Sequence, residues 1–222
     1  MRVGLGLVLF GIVVGYVLFQ RSHAPAFTGP FHSVQELASA YPGDWTEQKD
    51  ESGRVKVLSG GAAPRLAVST EDAFQFLERV APLLGVKLSE LWKPAVASDS
   101  QSGNKDFRFD HRVNGVLVYG SYVTVSYRKS DMAIISVNNE FKNISSLELG
   151  QNFDDARILS GPDLNGKQIR GMPTAVIAVD SKGVGRLGWQ FTYLDPKTQK
   201  ATFNIRSAKD ASVLVESAAR VE

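Results

Sequence analysis

The side chains able to hold a metal or activate a nucleophile are few in this chain. It has no cysteine, so disulfides and cysteine-based zinc or redox sites are ruled out. Its histidines are His23, His32 and His111; none lies four residues from another, and none has an adjacent Glu. A zinc peptidase of the H-E-x-x-H type needs two histidines on one helix face, with the glutamate as base. That pattern is missing. His111 alternates with Phe109 and Val113, which marks a sheet-facing side chain rather than a ligand. No G-x-S-x-G elbow occurs. Gly183-Val184-Gly185 and Gly4-Leu5-Gly6 lack the strand-to-helix setting of a dinucleotide loop. Asp154 and Asp155, as neighbours, point different ways on a helix and read as a solvated helix start. Glu71-Asp72 read as acids that complement a helix dipole. Asn143-Ile144-Ser145 is a glycosylation sequon by pattern alone. No catalysis, metal or cofactor is expected.

At 222 residues, 43% hydrophobic and 22% charged, the chain can bury a core, and its length suits two small lobes. A formal charge of +2 without any dense Lys/Arg run speaks against nucleic acid as a partner. The uncharged stretch Val3–Phe19 approaches the roughly 17–25 apolar residues that span a bilayer. Arg2 and the amino terminus favour a cytoplasmic start, weakened by Arg21. Ala24-Pro25-Ala26 has the A-x-A spacing of a signal cleavage site. The apolar run exceeds the ~7–15 residues of a signal core, and Arg21 and His23 intrude before the site. The segment therefore reads as an uncleaved anchor in preference to a removed signal. The folded part is then periplasmic or extracellular, and secreted if cleavage occurs.

Positioning elements follow from local patterns. Ser33 to Glu36 has capping-box spacing and predicts a short helix to about Ala40. Trp45–Gln48 and Arg54–Leu58 read as a hairpin around Ser52-Gly53, and Gly60–Pro64 as a loop. Ser69 caps a helix whose apolar stripe is Phe74, Phe76, Leu77, Val80, Leu83 and Leu84, stopped by Gly85. That stripe should pack on Val116, Val118, Val123 and Val125, with a face switch at Gly120-Ser121. From Lys105 to Phe141, three strands run through the Asn114-Gly115 turn and the polar turn Arg128–Asp131. A short helix is expected around Phe153–Leu159. Gly161-Pro162, Gly166, Gly171 and Pro173 mark loops, and a lobe boundary is placed there. Strands then follow at Thr174–Val179, Leu187–Leu194, Ala201–Arg206 and Ser212–Glu216.

The stretch KDFRFDHRVNGVLVYGSYVTVSYRKSDMAIISVNNEF, Lys105 to Phe141, resembles the FTP module, the N-terminal half of the propeptide of thermolysin-like metalloproteases. Leu187–Tyr193 (LGWQFTY), Ser207–Ala211 (SAKDA) and the final apolar strand are similar to the PepSY module that follows it. Ser207, Asp210 and Ala211 stand where that module's turn has Asp, Thr and Gly. The resemblance covers about Ser33 to Val221, and no peptidase domain follows it in this chain. It implies an α+β fold, two lobes of curved antiparallel sheet with helices on one face; the apolar run Val3–Phe19 puts one N-terminal transmembrane helix before them. The expected segments are 1–21 anchor or signal, 22–32 linker, 33–160 FTP-like lobe and 161–222 PepSY-like lobe. It also implies a partner: an exported metalloprotease, bound in trans by a non-catalytic inhibitor or folding assistant. The C-terminal tail Ser217, Ala218, Ala219, Arg220, Val221 and Glu222 would lie nearest the protease cleft. A second reading is a structural or assembly module of the cell envelope that reuses the propeptide fold.

Overall fold

The computed structural model describes residues 29–63, 69–94, 98–99, 103–149 and 159–219. The expected anchor Val3–Phe19 and the Ala24-Pro25-Ala26 site lie outside them, as does nearly all of the helix expected at Phe153–Leu159. No helix among the described residues is long and apolar enough to cross a membrane.

The first half of the chain opens with α1 (Val34–Ala40). Ser33 caps it by accepting the Glu36 N–H, while Glu36 reaches back to the His32 N–H rather than to Ser33. A hairpin of β1 (Gly43–Lys49) and β2 (Val55–Ala63) follows. Gly60–Ala63, expected as a loop, is strand. The reason is Trp45, whose ring lies over Gly61 so closely that a Cβ there would come within 1.9 Å of it. Helix α2 (Thr70–Leu84) starts at a full capping box between Ser69 and Asp72 and ends on left-handed Gly85. Phe31, expected at the end of a linker, is instead wholly buried, and its N–H donates to the Arg79 carbonyl of α2.

Short strands β3 (Leu91–Trp92) and β4 (Ser98–Asp99) pair with β5 (Lys105–Val113), β5 pairs with β6 (Val116–Arg128), and β6 with β7 (Ala133–Asn139). Helices α1 and α2 close one core over this sheet, containing Leu37, Trp45, Phe74, Phe76, Leu77, Phe109, Val123, Val125 and Phe141. Buried Asn139 fastens the end of α2: its amide donates to the carbonyls of Val55 and Leu84, and its carbonyl accepts the Phe141 N–H. Satisfying each polar group in this way makes its burial tolerable.

β6 is where the halves join. Asp110 pairs with Tyr122 but Arg112 with Leu117, so β6 bulges at residues 118–121 opposite His111 alone. Gly120 takes φ +62° there. Beyond the bulge the strand buries Val123, Val125 and Tyr127 in the first core; at its start, Val118 packs with Ile177 and Leu187 of the second half. Val116 also packs there, so of the four expected valines Val123 and Val125 alone share a core with α2.

The second half is β8 (Ser146–Glu148), β9 (Gln168–Val179), β10 (Val184–Asp195), β11 (Lys200–Ser207) and β12 (Val213–Ala218). β9 runs parallel to β6 through Leu117–Val176 and Val118–Ile177. The two lobes are therefore one twelve-stranded sheet, ordered β1-β2-β7-β6-β9-β10-β11-β12 along its main path. β8 already pairs with β10, so the chain enters the second half ahead of the expected boundary at 160/161. Residues 171–173, expected as a loop, form an irregularity inside β9, with Met172 fully out in solvent. Both described α-helices belong to the first half. The fold is α+β and rich in sheet.

Candidate binding site

Three side chains fall in line with the identities of a hydrolase relay. His111 Nδ1 lies 2.8 Å from Ser121 Oγ, and His111 Nε2 lies 2.9 Å from Glu90 Oε2. In a working Ser-His-acid triad the nucleophile meets Nε2 and stands open to substrate. Here the nitrogens are reversed and Ser121 is 1% exposed. Its Oγ also accepts the Lys142 N–H at 2.8 Å, and Phe141 stacks on the imidazole at 4.2 Å between centroids. The bonds close consistently if Nε2–H donates to Glu90 while Nδ1 accepts the Ser121 hydroxyl. Burial lowers the His111 pKa, and Glu90 only partly offsets this. The close His111–Glu90 contact is therefore a hydrogen bond of neutral imidazole rather than an ion pair. This cluster clamps the β6 bulge, and no substrate reaches its serine. Among the described residues no group of three or more His, Cys, Asp or Glu converges on a metal-sized space.

The residues expected to meet a partner are Ser217 to Glu222. Ser217 and Ala218 are not tail: they close β12, paired with Phe203 and Thr202 of β11. The Ala219 N–H continues the ladder to the Ala201 carbonyl. Arg220, Val221 and Glu222 lie outside the described residues. Antiparallel strands alternate their hydrogen-bonding direction. With Ala219 facing β11, Ser217 and Val215 face it too, and the backbone groups of Glu216 and Ala218 point away. No described strand pairs with that outer side. A hollow of about 580 Å³ is lined by Gln199–Thr202 and by Glu216–Ala219, the paired ends of β11 and β12.

The other end of the main path is unlike it. β1 (GDWTEQK) carries Asp44, Glu47 and Lys49 and two register breaks against β2. Charge and irregularity are how an edge strand is kept from pairing further. β12 (VLVESA) has no lysine and no proline, and the Glu216 carboxylate is turned onto the Asn204 amide. Its one irregularity is near Leu214. The sequence signal for this was available in that composition, but the pattern gives strand identity and not position at a sheet margin.

A second concavity of about 830 Å³ separates the halves, and Arg54, Lys87, Lys142 and Lys182 line it. Nothing in their spacing along the chain groups them.

No protein-family model matches the chain, and no curated protein matches it. Among solved structures it is similar to the Bacillus megaterium YpeB C-terminal domain, with a TM-score of 0.38 and 10% identity, over 80% of this chain and 89% of that one. Likeness at this level says nothing of function.

Proposed function

We propose that the chain is a non-catalytic, propeptide-like binding module, anchored through Val3–Phe19 and exported, that engages a metalloprotease of its own envelope in trans. Its role there is inhibitor or folding assistant. The supporting observation is the outer side of β12, an unguarded strand edge whose last residues are those the FTP–PepSY resemblance places nearest a protease cleft. An extended segment of a partner adds to such an edge through main-chain hydrogen bonds, with alternate side chains setting specificity. The anchor would hold the module beside its partner and raise effective concentration without new contacts.

Titration of the full chain, in neutral detergent, against thermolysin-like proteases secreted by its own source tests this. Stoichiometric loss of peptidase activity, or faster recovery of activity by refolding protease, is the expected outcome. If every such protease keeps full activity and refolds unaided at saturating module, the metalloprotease reading is lost.

A further inference from the structure

The cleft between the halves has an uncompensated charge. Arg54 and Lys142 come from the first half, and Lys182 from the β9–β10 turn of the second. Arg54 is already forked onto Asp50, whose carboxyl is held at about 2 by the Ser52 hydroxyl and by Arg54. Lys87 has Glu90 at 3.5 Å. Asp180 is the one acid in the lining. Its carboxylate is taken up by the N–H groups of Lys182 and Val184 and by Arg186. Glu140, the acid that acts on Lys142, is itself paired with Lys56, so neither Lys142 nor Lys182 has an ion pair of its own among the described residues. Lys142 is half-buried, and its ammonium, with three donors, has a single acceptor there, the Tyr119 carbonyl at 2.9 Å. It is seated where a Cβ on Gly120 would come within 3.3 Å, so the β6 bulge fixes the position of the charge. Burial lowers the pKa of this lysine, and Glu140 offsets that only in part.

The surroundings select the anion. Phosphate sites use helix N-termini, backbone N–H nests and free arginine forks. The helix end at this cleft is the C-terminus of α2 at Gly85, whose carbonyl dipoles oppose a dense dianion, and its arginine is occupied. Ile144 and Val179 add apolar wall to the same cleft. We propose that this cleft binds an acidic polypeptide segment in which carboxylates alternate with aliphatic side chains, the carboxylates pairing with Lys142 and Lys182. Such a segment bridges the two halves across β6. The proposal does not rest on the β12 edge or on the metalloprotease reading.

The test uses the full chain in neutral detergent and a short fluorescein-labelled peptide alternating Glu with Leu, read by anisotropy. Saturable binding is expected, weakening as salt rises. The peptide with Gln in place of Glu should bind at least about tenfold more weakly, in line with loss of charge-assisted hydrogen bonds. Lys182→Glu, in an exposed turn, should remove binding without moving the unfolding midpoint, and Lys142→Gln should reduce it about tenfold. Ala218→Pro should leave it unchanged. Equal binding of the Glu and Gln peptides, unaltered binding by Lys182→Glu, or no binding of the Glu peptide overturns the proposal. So does inorganic phosphate that binds in its own right and displaces the peptide with the same lysine dependence, because the site then belongs to a small anion.

Discussion

The two halves of this sheet hold themselves together differently. The first closes one continuous core, in which Phe31, Tyr41, Trp45 and Phe76 form a chain of ring contacts beneath two helices. The second distributes its apolar residues over three small clusters on both sheet faces. Polar connections take up part of the task. Arg206, buried on β11, is paired with Asp163 and bonded to Asn204, whose amide in turn holds Glu216 of β12. Such a chain of polar groups is satisfied and directional but adds little net stability relative to apolar packing. The difference separates a half that supplies stability from a half that can leave an edge open. Burying apolar area lends itself to closed layers, whereas an edge that accepts a further strand has to remain uncovered.

The comparison is most easily broken by truncating one aromatic in each half. Phe76→Ala removes a fully buried ring from between Tyr41 and Trp45, and should cost about 3–5 kcal/mol in urea unfolding. Phe203→Ala removes a half-buried ring stacked on Tyr119 at 5.3 Å, and should cost about 1–2 kcal/mol. Comparable losses would show that the second half carries as much of the stability as the first.

The first half was also the more legible in sequence. The stop and start signals of α1 and α2 are local, as are the alternation in β5 and the Asn114-Gly115 turn, and each element lies where those residues put it. Gly60–Ala63 departs from the expected loop because the overlying Trp45, which local pattern does not reveal, is what suits glycine to a strand there. The split of Val116 and Val118 from Val123 and Val125 depends on the bulge. Gly120-Ser121 hinted at it, but the partner of the displaced segment, β9, lies far along the chain. Parallel pairings such as β6–β9 and β8–β10 leave no turn signature. The candidate surfaces were least legible. Ser217 and Ala218 read as tail because the last strand looked complete at Glu216, and the cleft assembles Arg54, Lys142 and Lys182 from three distant segments.

A medium effect probes the joint itself. With the His111 pKa lowered by burial, the unfolded chain, whose histidine titrates near 6.5, takes up a proton that the fold does not. The stability contributed by neutral His111 is therefore complete above about pH 6.5 and falls as pH drops from there through the lowered value. His111→Gln should be less stable at pH 8, yet lose less between about pH 7 and 5 than the natural chain, as read by denaturant midpoints. Equal slopes in the two proteins would mean that Glu90 offsets the burial of His111 in full.

The smallest expected effect on stability is the sharpest test of the open edge. Proline removes one backbone N–H, and at a sheet margin the outcome depends on which way that N–H points. Ser217 donates toward β11, so Ser217→Pro leaves a ladder acceptor unmet and should destabilise by about 1–3 kcal/mol. The Ala218 N–H points away from the sheet, so Ala218→Pro should shift stability by less than about 1 kcal/mol. The two variants differ by one position and separate folding from recognition. If a partner adds its strand to β12, Ala218→Pro should reduce protease inhibition or refolding assistance at least about tenfold, the scale of a main-chain hydrogen bond lost with its partner group left unpaired. An Ala218→Pro chain that binds as well as the natural one would show that the outer side of β12 is not used. A partner would then have to meet the sheet by one of its faces, and the unguarded composition of β12 would have no part in recognition.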